Sequence, residues 1–304
     1  TYKAEVIPDS LSDDEIGVME CKGFGEVSSV ALETLCDYYN IAYPTTPLIG
    51  MEFSNPLYLK LLCRHLSDCG GHFTTDVEMG DLVTGLLAEI NNKLADSQRA
   101  NYDRRIPLVA RAAQAIVRSP GFFYGAIDYE KAERAVIEVV RDYVSPPGSF
   151  LEGLVSEGLF NVLDGEGSSY LTFSYDLVGN YVVAAMVVER AKELQRIGRF
   201  ASSAEALSSL LNEEYGWISG DQGALAALSA ICPTECECEL FELDLNRNGA
   251  FSPVREAFVE GIPWRRTIEV TPDLDNFIRT EVLADKYSMH DFISMSFQLA
   301  TKRG

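Results

Sequence analysis

The stretch LFNVLDGEGSSYLTFSYD, residues 159–176, decides the fold that the sequence predicts. Two β-prone runs, 159–163 and 170–173, flank the turn-rich segment DGEGSS, and this pattern is typical of a β-hairpin. A short helix is expected at 149–158, and segments with helical spacing precede it at about 77–94, 103–117 and 129–143. Three helices followed by a hairpin is the order of a winged helix. The sequence therefore predicts a winged-helix domain with one small β-hairpin at residues 76–175.

Helical patterns also dominate on both sides of this domain. Before it, residues 1–75 contain a predicted helix at about 26–39 and a second helix that begins at Pro56. After it, a long helix is predicted at about 176–195, and shorter ones follow at about 204–212, 222–231, 254–259 and 274–283. The later segments show no strict period, so residues 176–304 are interpreted as a degenerate, repeat-like helical region. The predicted fold class is mainly α.

The helix in EFSNPLYLKLLCRHL, residues 52–66, has a well-defined first turn. Asn55 is a natural N-cap, and Pro56 stands at the first helical position, where its missing N–H costs nothing. Leu57, Leu61, Leu62 and Leu66 give the helix an apolar face. Two interpretations stay open: the capped turn only starts a core helix, or a ligand docks against it.

Charge and cysteine content restrict the function classes. The chain of 304 residues has 46 acidic and 25 basic residues, a net charge of −21, which disfavours nucleic acid and anionic membranes as partners. No run of about 18 apolar residues predicts a membrane span, and the first residues lack the pattern of a signal peptide. An odd count of 7 cysteines argues for reduced thiols, so a cytoplasmic location is expected.

Two short patterns resemble metal sites but have the wrong spacing. The run CPTECEC, residues 232–238, lacks the paired CxxC of a zinc ribbon and has no histidine near it. The segment DLNRNGAFS, residues 244–252, begins like a calcium loop, but Arg255 stands where the bidentate acid belongs and Glu256 comes one residue late. No metal site is predicted.

One local cluster combines basic and aromatic side chains, in Trp264, Arg265 and Arg266. It could belong to a partner surface, or its arginines could meet a helix C-terminus or neighbouring acids. Because acids are abundant nearby, intramolecular pairing is the favoured interpretation. The predicted recognition helix of the winged helix, SFLEGLVSEG, carries only acidic charges, which argues against DNA binding.

A family resemblance lies in the order of several segments. They are ALETLCDYYNI, EFSNPLYLKLLCRHL, LVSEGLF and SSYLTFSYDLVGNYVVAAMVV, followed by ALAALSAICPTECECELFEL and VREAFVEGIPWRRTIEV. Together they resemble the region after the nucleotide-binding core in STAND-type (NACHT/AAA-like) NTPases, most closely the bacterial antiviral, AVAST-like group. The resemblance covers most of the chain. It implies the end of the ATPase core and a helical lid at 1–75, a winged helix at 76–175, and the start of a helical sensor region at 176–304.

The resemblance also implies three nucleotide-binding residues. In that family a lid proline packs near the adenine, and by resemblance this is Pro56, with Asn55 capping its turn. Many relatives place a histidine that senses the β-phosphate of ADP where Tyr175 stands here. A tyrosine can donate one hydrogen bond but does not titrate near neutral pH, and a role as a half-buried aromatic that packs the wing stays open.

The residues that hydrolyse ATP are expected elsewhere. No GxxxxGK[ST] phosphate loop occurs, and no apolar strand ends in paired acids that could hold Mg²⁺. The first residues, TYKAEVI, resemble the segment just after the final strand of the core. The chain is thus expected to be a fragment without catalytic residues or bound cofactor, whose full-length parent is an ATPase that binds ATP or ADP with Mg²⁺.

The implied function is a switch in antiviral defence. ADP would hold the closed form, and a foreign (phage) protein captured by the sensor region would favour an open, ATP-bound form that self-associates and activates an effector. An alternative from another class is a helical-repeat adaptor that binds a partner protein and handles no nucleotide. A third interpretation is a stand-alone transcription regulator.

Overall fold

The computed structural model describes residues 24, 27–44, 56–71, 77–97, 101–123, 125–165, 167–245, 252–265 and 270–302. Over these residues the chain is mainly helical and has one small antiparallel sheet of three strands. It divides into two compact units, Thr1–Thr74 and Thr75–Gly304. The predicted mainly α class is confirmed.

The first unit contains a pair of packed helices, α1 (Ser28–Tyr39) and α2 (Pro56–Asp68). Helix α1 ends at Asn40, which adopts the left-handed conformation with φ of 55°. The Ser67 hydroxyl donates a 2.9 Å hydrogen bond to the carbonyl of Tyr39 and ties the two helices together. The apolar face of α2 is buried and includes Leu61, Leu62 and Leu66. Residues 1–23, which include the segment TYKAEVI, lie outside the described residues.

The sheet belongs to the first half of the second unit. The elements there, in order, are α3 (Met79–Ala95), α4 (Leu108–Arg118), β1 (Ala126–Asp128), α5 (Tyr129–Val140), α6 (Ser149–Ser156), β2 (Phe160–Gly165) and β3 (Ser168–Phe173). Strand β3 is central, and the strand order is β1-β3-β2. The hairpin ladder pairs Phe160 with Phe173 at its open end. Two of its residues, Asp164 and Ser169, were predicted in the turn but pair in the ladder, where a 2.8 Å side-chain hydrogen bond also joins them.

Strand β1 is a feature that the sequence pattern did not predict. Its three residues pair with β3, and Ile127 at its centre faces Leu171 and is buried. A strand of this length is too short to show an alternating pattern. Helices α5 and α6 pack against the sheet. The fully buried side chains of this half of the unit include Ile116, Phe150 and Leu154.

Helix α7 (Asp176–Arg196) packs against α3 and α4, and also against α8 (Ser203–Glu213) and α9 (Gln222–Cys236). Ten of its residues are buried, among them Ala184 and Val188. Helix α9 continues past its predicted end at residue 231, through Pro233, to Cys236.

The end of the chain packs on α9. Helix α10 (Ser252–Gly261) lies directly against it, followed by a 3-10 turn (Ile262–Trp264), α11 (Pro272–Phe277), a π-helical turn (Ile278–Val282) and α12 (Lys286–Lys302). Phe258, Ile262, Leu274 and Phe277 form a local core. The helix predicted at 274–283 is thus two elements, and α12 was not predicted. None of the helices in the described ranges combines the length and the apolar character that crossing a bilayer requires.

Candidate functional site

Pro56 is the first residue of α2 and is exposed. This is the position that the sequence predicted, where the fixed φ of proline suits the start of a helix. Asn55 and the side chain of Leu57 lie outside the described residues, so the capping role of Asn55 stays a prediction. Pro56 belongs to the first unit and Tyr175 to the second.

Tyr175 precedes the first turn of α7 and contributes its main chain to that turn. Its carbonyl accepts hydrogen bonds of 3.0 Å from the Val178 N–H and 3.1 Å from the Gly179 N–H. The side chain makes no capping bond and is 43% exposed. This exposure is that of a half-buried ring, and the role of Tyr175, in phosphate sensing or in packing the wing, stays a prediction.

A dense polar cluster in the second unit surrounds Arg265, whose side chain is 3% exposed. Its Nη1 donates to Glu239 Oε1 at 2.7 Å, and its Nη2 donates to Glu239 Oε2 at 2.9 Å. Nη2 also donates to the Ser229 carbonyl oxygen at 2.5 Å and to the Ser229 hydroxyl at 2.9 Å. The guanidinium carbon lies 4.9 Å from the ring centre of Phe258. The intramolecular pairing predicted for this arginine is confirmed; Arg266 lies outside the described residues.

Beside Arg265, a cavity of about 220 Å³ opens between the start of α3, the middle of α7, the end of α9 and the turn that carries Trp264. Tyr181 and Trp264 contribute aromatic surface, and Ala185 and Val188 contribute aliphatic surface. Its acidic lining residues are Glu78, Glu189 and Glu235, and its basic lining residues are Lys192 and Arg265. We call it the acidic-aromatic cavity.

The pKa of the Tyr181 phenol reflects the charges around this cavity. Burial raises the pKa of its phenol, and the carboxylates of Glu235, Asp81 and Glu78 raise it further against the effect of a hydrogen bond with Thr84. Its hydroxyl lies so close to the main chain of α3 that a Cβ added at Gly80 would be 2.7 Å from it. Several carboxylates therefore direct negative potential toward one phenol.

Both basic residues of the cavity are already neutralised. Lys192 forms an ion pair with Glu235, and Arg265 forms its pair with Glu239. The side chain of Glu78 takes part in a capping box with Asp81 at the start of α3. Within the described part of the chain, Glu189 has no ion-pair partner, and its side chain is exposed. The cavity therefore has an excess of negative charge.

A second cavity, of about 350 Å³, lies between α3, α4 and α7 and shares Tyr181 and Ala185 with the first. Its walls are mostly apolar, and Asn91, one of its lining residues, forms several hydrogen bonds. The Asn91 amide donates to the Arg104 carbonyl at 2.9 Å and accepts from the Tyr102 hydroxyl at 2.9 Å and the Val109 N–H at 3.2 Å. This asparagine is a structural link between α3 and α4.

The cysteines of CPTECEC are buried thiols. The pKa of Cys232 is raised, because its thiol bonds to the Cys236 sulfur and is fully buried. Burial raises the pKa of Cys238 to about 12. Among the residues that the structure describes, no group of three or more His, Cys, Asp or Glu could hold a metal ion. Asn246, Asn248 and Gly249, which would belong to the calcium-like loop, lie outside those residues.

The sequence pointed to only part of the acidic-aromatic cavity. It marked Trp264 and Arg265 as a cluster, but it placed Tyr181 and Glu189 only within the long predicted helix and singled out neither. The partners of Arg265 lie 26 and 36 positions away in the chain, so no local pattern could identify them. Comparisons of the chain with protein-family models, with curated proteins and with solved structures found no match.

Proposed function

We propose that this chain is the regulatory and sensor-proximal part of a STAND-type ATPase, in which a lid, a winged helix and the first sensor helices couple the nucleotide state to capture of a foreign protein. The observation that supports this best is the order α4-β1-α5-α6-β2-β3 with strand order β1-β3-β2. Three helices, one short strand before the second helix, and a hairpin are the elements that the proposed winged helix requires. A fold alone does not establish an activity, so the proposal needs a nucleotide test.

The surface of α6 favours an internal coupling role over DNA binding. In a winged helix this third helix is the one that would read DNA, and its Phe150, Leu151 and Leu154 are buried. The exposed side chain on its first turn is Glu152, which would repel phosphate. Glu157, just after the helix, instead forms an ion pair of 3.4 Å with Lys93 of α3.

In the proposed mechanism, ADP stabilises a closed form of the full-length protein. A foreign protein bound by the helical sensor region shifts the population to an open form, which exchanges ADP for ATP and self-associates. To move the equilibrium from 1:99 to 99:1, the trigger must bind the open form about 10⁴-fold more tightly. Pro56 would offer a rigid apolar surface to the adenine, and Tyr175 would donate a hydrogen bond to a phosphate. The location proposed for this switch is the cytoplasm, and its proposed role is antiviral defence.

Calorimetry with ADP tests the proposal. The full-length protein should bind ADP, and this chain alone should not bind it measurably, because the phosphate loop and the Mg²⁺ ligands are expected upstream. In the full-length protein, Pro56→Ala should weaken ADP retention. Pro272→Ala is the matched control, since Pro272 is likewise an exposed proline at the start of a helix. Equal ADP retention in wild type and Pro56→Ala would remove Pro56 from the site, and a full-length protein without ADP binding would overturn the function.

A second candidate is a helical adaptor that binds a partner protein without any nucleotide. The acidic-aromatic cavity favours this candidate, because its lining resembles a docking point for a protein side chain more than a phosphate site. The coding sequence upstream of Thr1 separates the two candidates. A phosphate loop followed by paired acids there supports the ATPase, and their absence from the complete reading frame supports the adaptor.

A further inference from the structure

The acidic-aromatic cavity has three properties that together define an occupant. It has the flat rings of Tyr181 and Trp264, an aliphatic wall at Ala185 and Val188, and unneutralised carboxylate at Glu189. Long cationic side chains have the matching parts, since an aliphatic stem leads to a charged head that is attracted to aromatic faces and to carboxylates. We propose that this cavity binds the arginine or lysine side chain of a basic segment in a partner protein.

The size of the cavity favours a single side chain. Its volume of about 220 Å³ is below the roughly 300–1,000 Å³ of pockets that enclose drug-sized ligands. A whole cofactor would not be enclosed, but an arginine side chain would fill much of this volume. Interfaces commonly depend on a few such anchors, and arginine is among the residues most often found in that role.

The charge of the cavity disfavours anionic ligands. An anion would need a free cation, and both Lys192 and Arg265 are already paired with carboxylates. The net charge of −21 adds a long-range field that attracts basic partners and repels acidic ones. Specificity for a cation therefore arises both in the cavity and over the whole chain. The inference concerns the second unit alone and does not depend on nucleotide binding.

The test uses the two tryptophans of the chain, Trp217 and Trp264. In an NMR spectrum of the ¹⁵N-labelled chain they give two indole N–H signals, and a Trp217→Phe variant identifies the Trp264 signal. The probe is acetyl-GSRSG-amide, and its control is the same peptide with citrulline, which keeps the shape of arginine and removes the charge. We expect the arginine peptide to shift the Trp264 signal saturably, with a dissociation constant on the order of 1 mM or tighter.

Two variants change the charge of the cavity in opposite directions. Glu189→Gln should lower the affinity for the arginine peptide about threefold or more. Lys192→Met should raise this affinity, because the substitution leaves the Glu235 carboxylate without its cation. Glu138→Gln on α5 removes the same charge from an exposed position away from the cavity and should leave the affinity unchanged. The proposal is overturned if the Trp264 signal does not respond up to about 10 mM peptide. It is also overturned if citrulline acts like arginine, or if Glu138→Gln weakens binding as much as Glu189→Gln does.

Discussion

The Nη2 atom of Arg265 lies 2.5 Å from the carbonyl oxygen of Ser229 and donates a hydrogen bond to it. Ser229 is four residues before Pro233, which stands inside α9. A proline has no N–H to donate to the carbonyl at i−4, so a proline in a helix leaves that carbonyl without its usual partner. The guanidinium of Arg265 supplies the missing donor from outside the helix. Glu239 balances the charge that this arrangement buries.

Arg265→Met should strongly destabilise the second unit. The substitution leaves the Glu239 carboxylate, 12% exposed, without its cation and the Ser229 carbonyl without its donor. Removing one partner of a buried pair costs about 3–5 kcal/mol of the free energy of unfolding. Urea denaturation followed by tryptophan fluorescence measures this cost, because both tryptophans belong to the second unit. Arg279→Met breaks an exposed pair with Asp275 and should cost below about 1 kcal/mol. Equal costs for the two variants would contradict the role of Arg265.

Pro233→Ala should reduce the energetic importance of Arg265. An alanine at position 233 can donate its N–H to the Ser229 carbonyl, so this carbonyl no longer depends on the guanidinium alone. In a double-mutant cycle, Arg265→Met should cost about 1 kcal/mol less in the Pro233→Ala background than in the wild type. Strict additivity of the two substitutions would mean that the proline and the arginine are not coupled.

Two helical glycines should respond to alanine with opposite signs. A Cβ at Gly261 would lie 2.8 Å from the Ala226 carbonyl oxygen, and this main-chain atom of α9 cannot move as a flexible side chain can. Gly261→Ala should therefore cost about 1–3 kcal/mol. At Gly85, inside α3, an added Cβ meets nothing within 4 Å, so Gly85→Ala should stabilise the unit by about 0.5–1 kcal/mol. Thermal unfolding of both variants measures this difference. A stabilising Gly261→Ala would show that α9 and α10 pack less closely than described.

The stability of the second unit should fall at alkaline pH, partly through Cys238. Burial raises the pKa of this thiol to about 12, whereas an unfolded cysteine titrates near about 8.5. The unfolded state then loses its proton first. The contribution of Cys238 is complete below about pH 8.5 and is lost as the pH rises toward about 12, by up to roughly 1.4 kcal/mol per pH unit. Cys238→Ala should show a shallower decline between pH 8.5 and 10.5 in urea denaturation. Parallel curves for the two proteins would contradict this assignment.

Alkylation should distinguish the three described cysteines of the first unit. Cys69 is exposed, whereas Cys36 and Cys63 are buried. Burial raises the pKa of Cys63 to about 12, and the thiolate is the reactive form. With iodoacetamide at pH 8, mass spectrometry should find Cys69 modified first and the other two only when the unit opens. Equal rates at Cys63 and Cys69 in the native protein would show that α1 and α2 do not pack stably.

The sequence by itself determined most of the helices, the hairpin and the acidic character of the chain. Each of these is a local or additive property. The helical conformation of α7 follows from 3.6-residue spacing, the start of α2 from the geometry of Pro56, and the paired strands from two β-prone runs around a turn. Charge is a sum over residues, so the prediction against nucleic acid as a partner needed no structure.

Only the tertiary structure decided the features that depend on distant partners. Strand β1 forms because β3 supplies hydrogen-bonding partners for it. Helix α9 continues through Pro233, and the Ser229 carbonyl that the proline leaves unbonded accepts a hydrogen bond from Arg265, 36 residues later in the chain. The acidic-aromatic cavity likewise combines Tyr181, Glu189 and Trp264 from separate elements. Local propensity acts over a few residues, whereas burial and ion pairing stabilise contacts between any two groups that the fold brings together, however far apart they are in the sequence. This is why the sequence predicted the helices and only the folded chain defines the cavity.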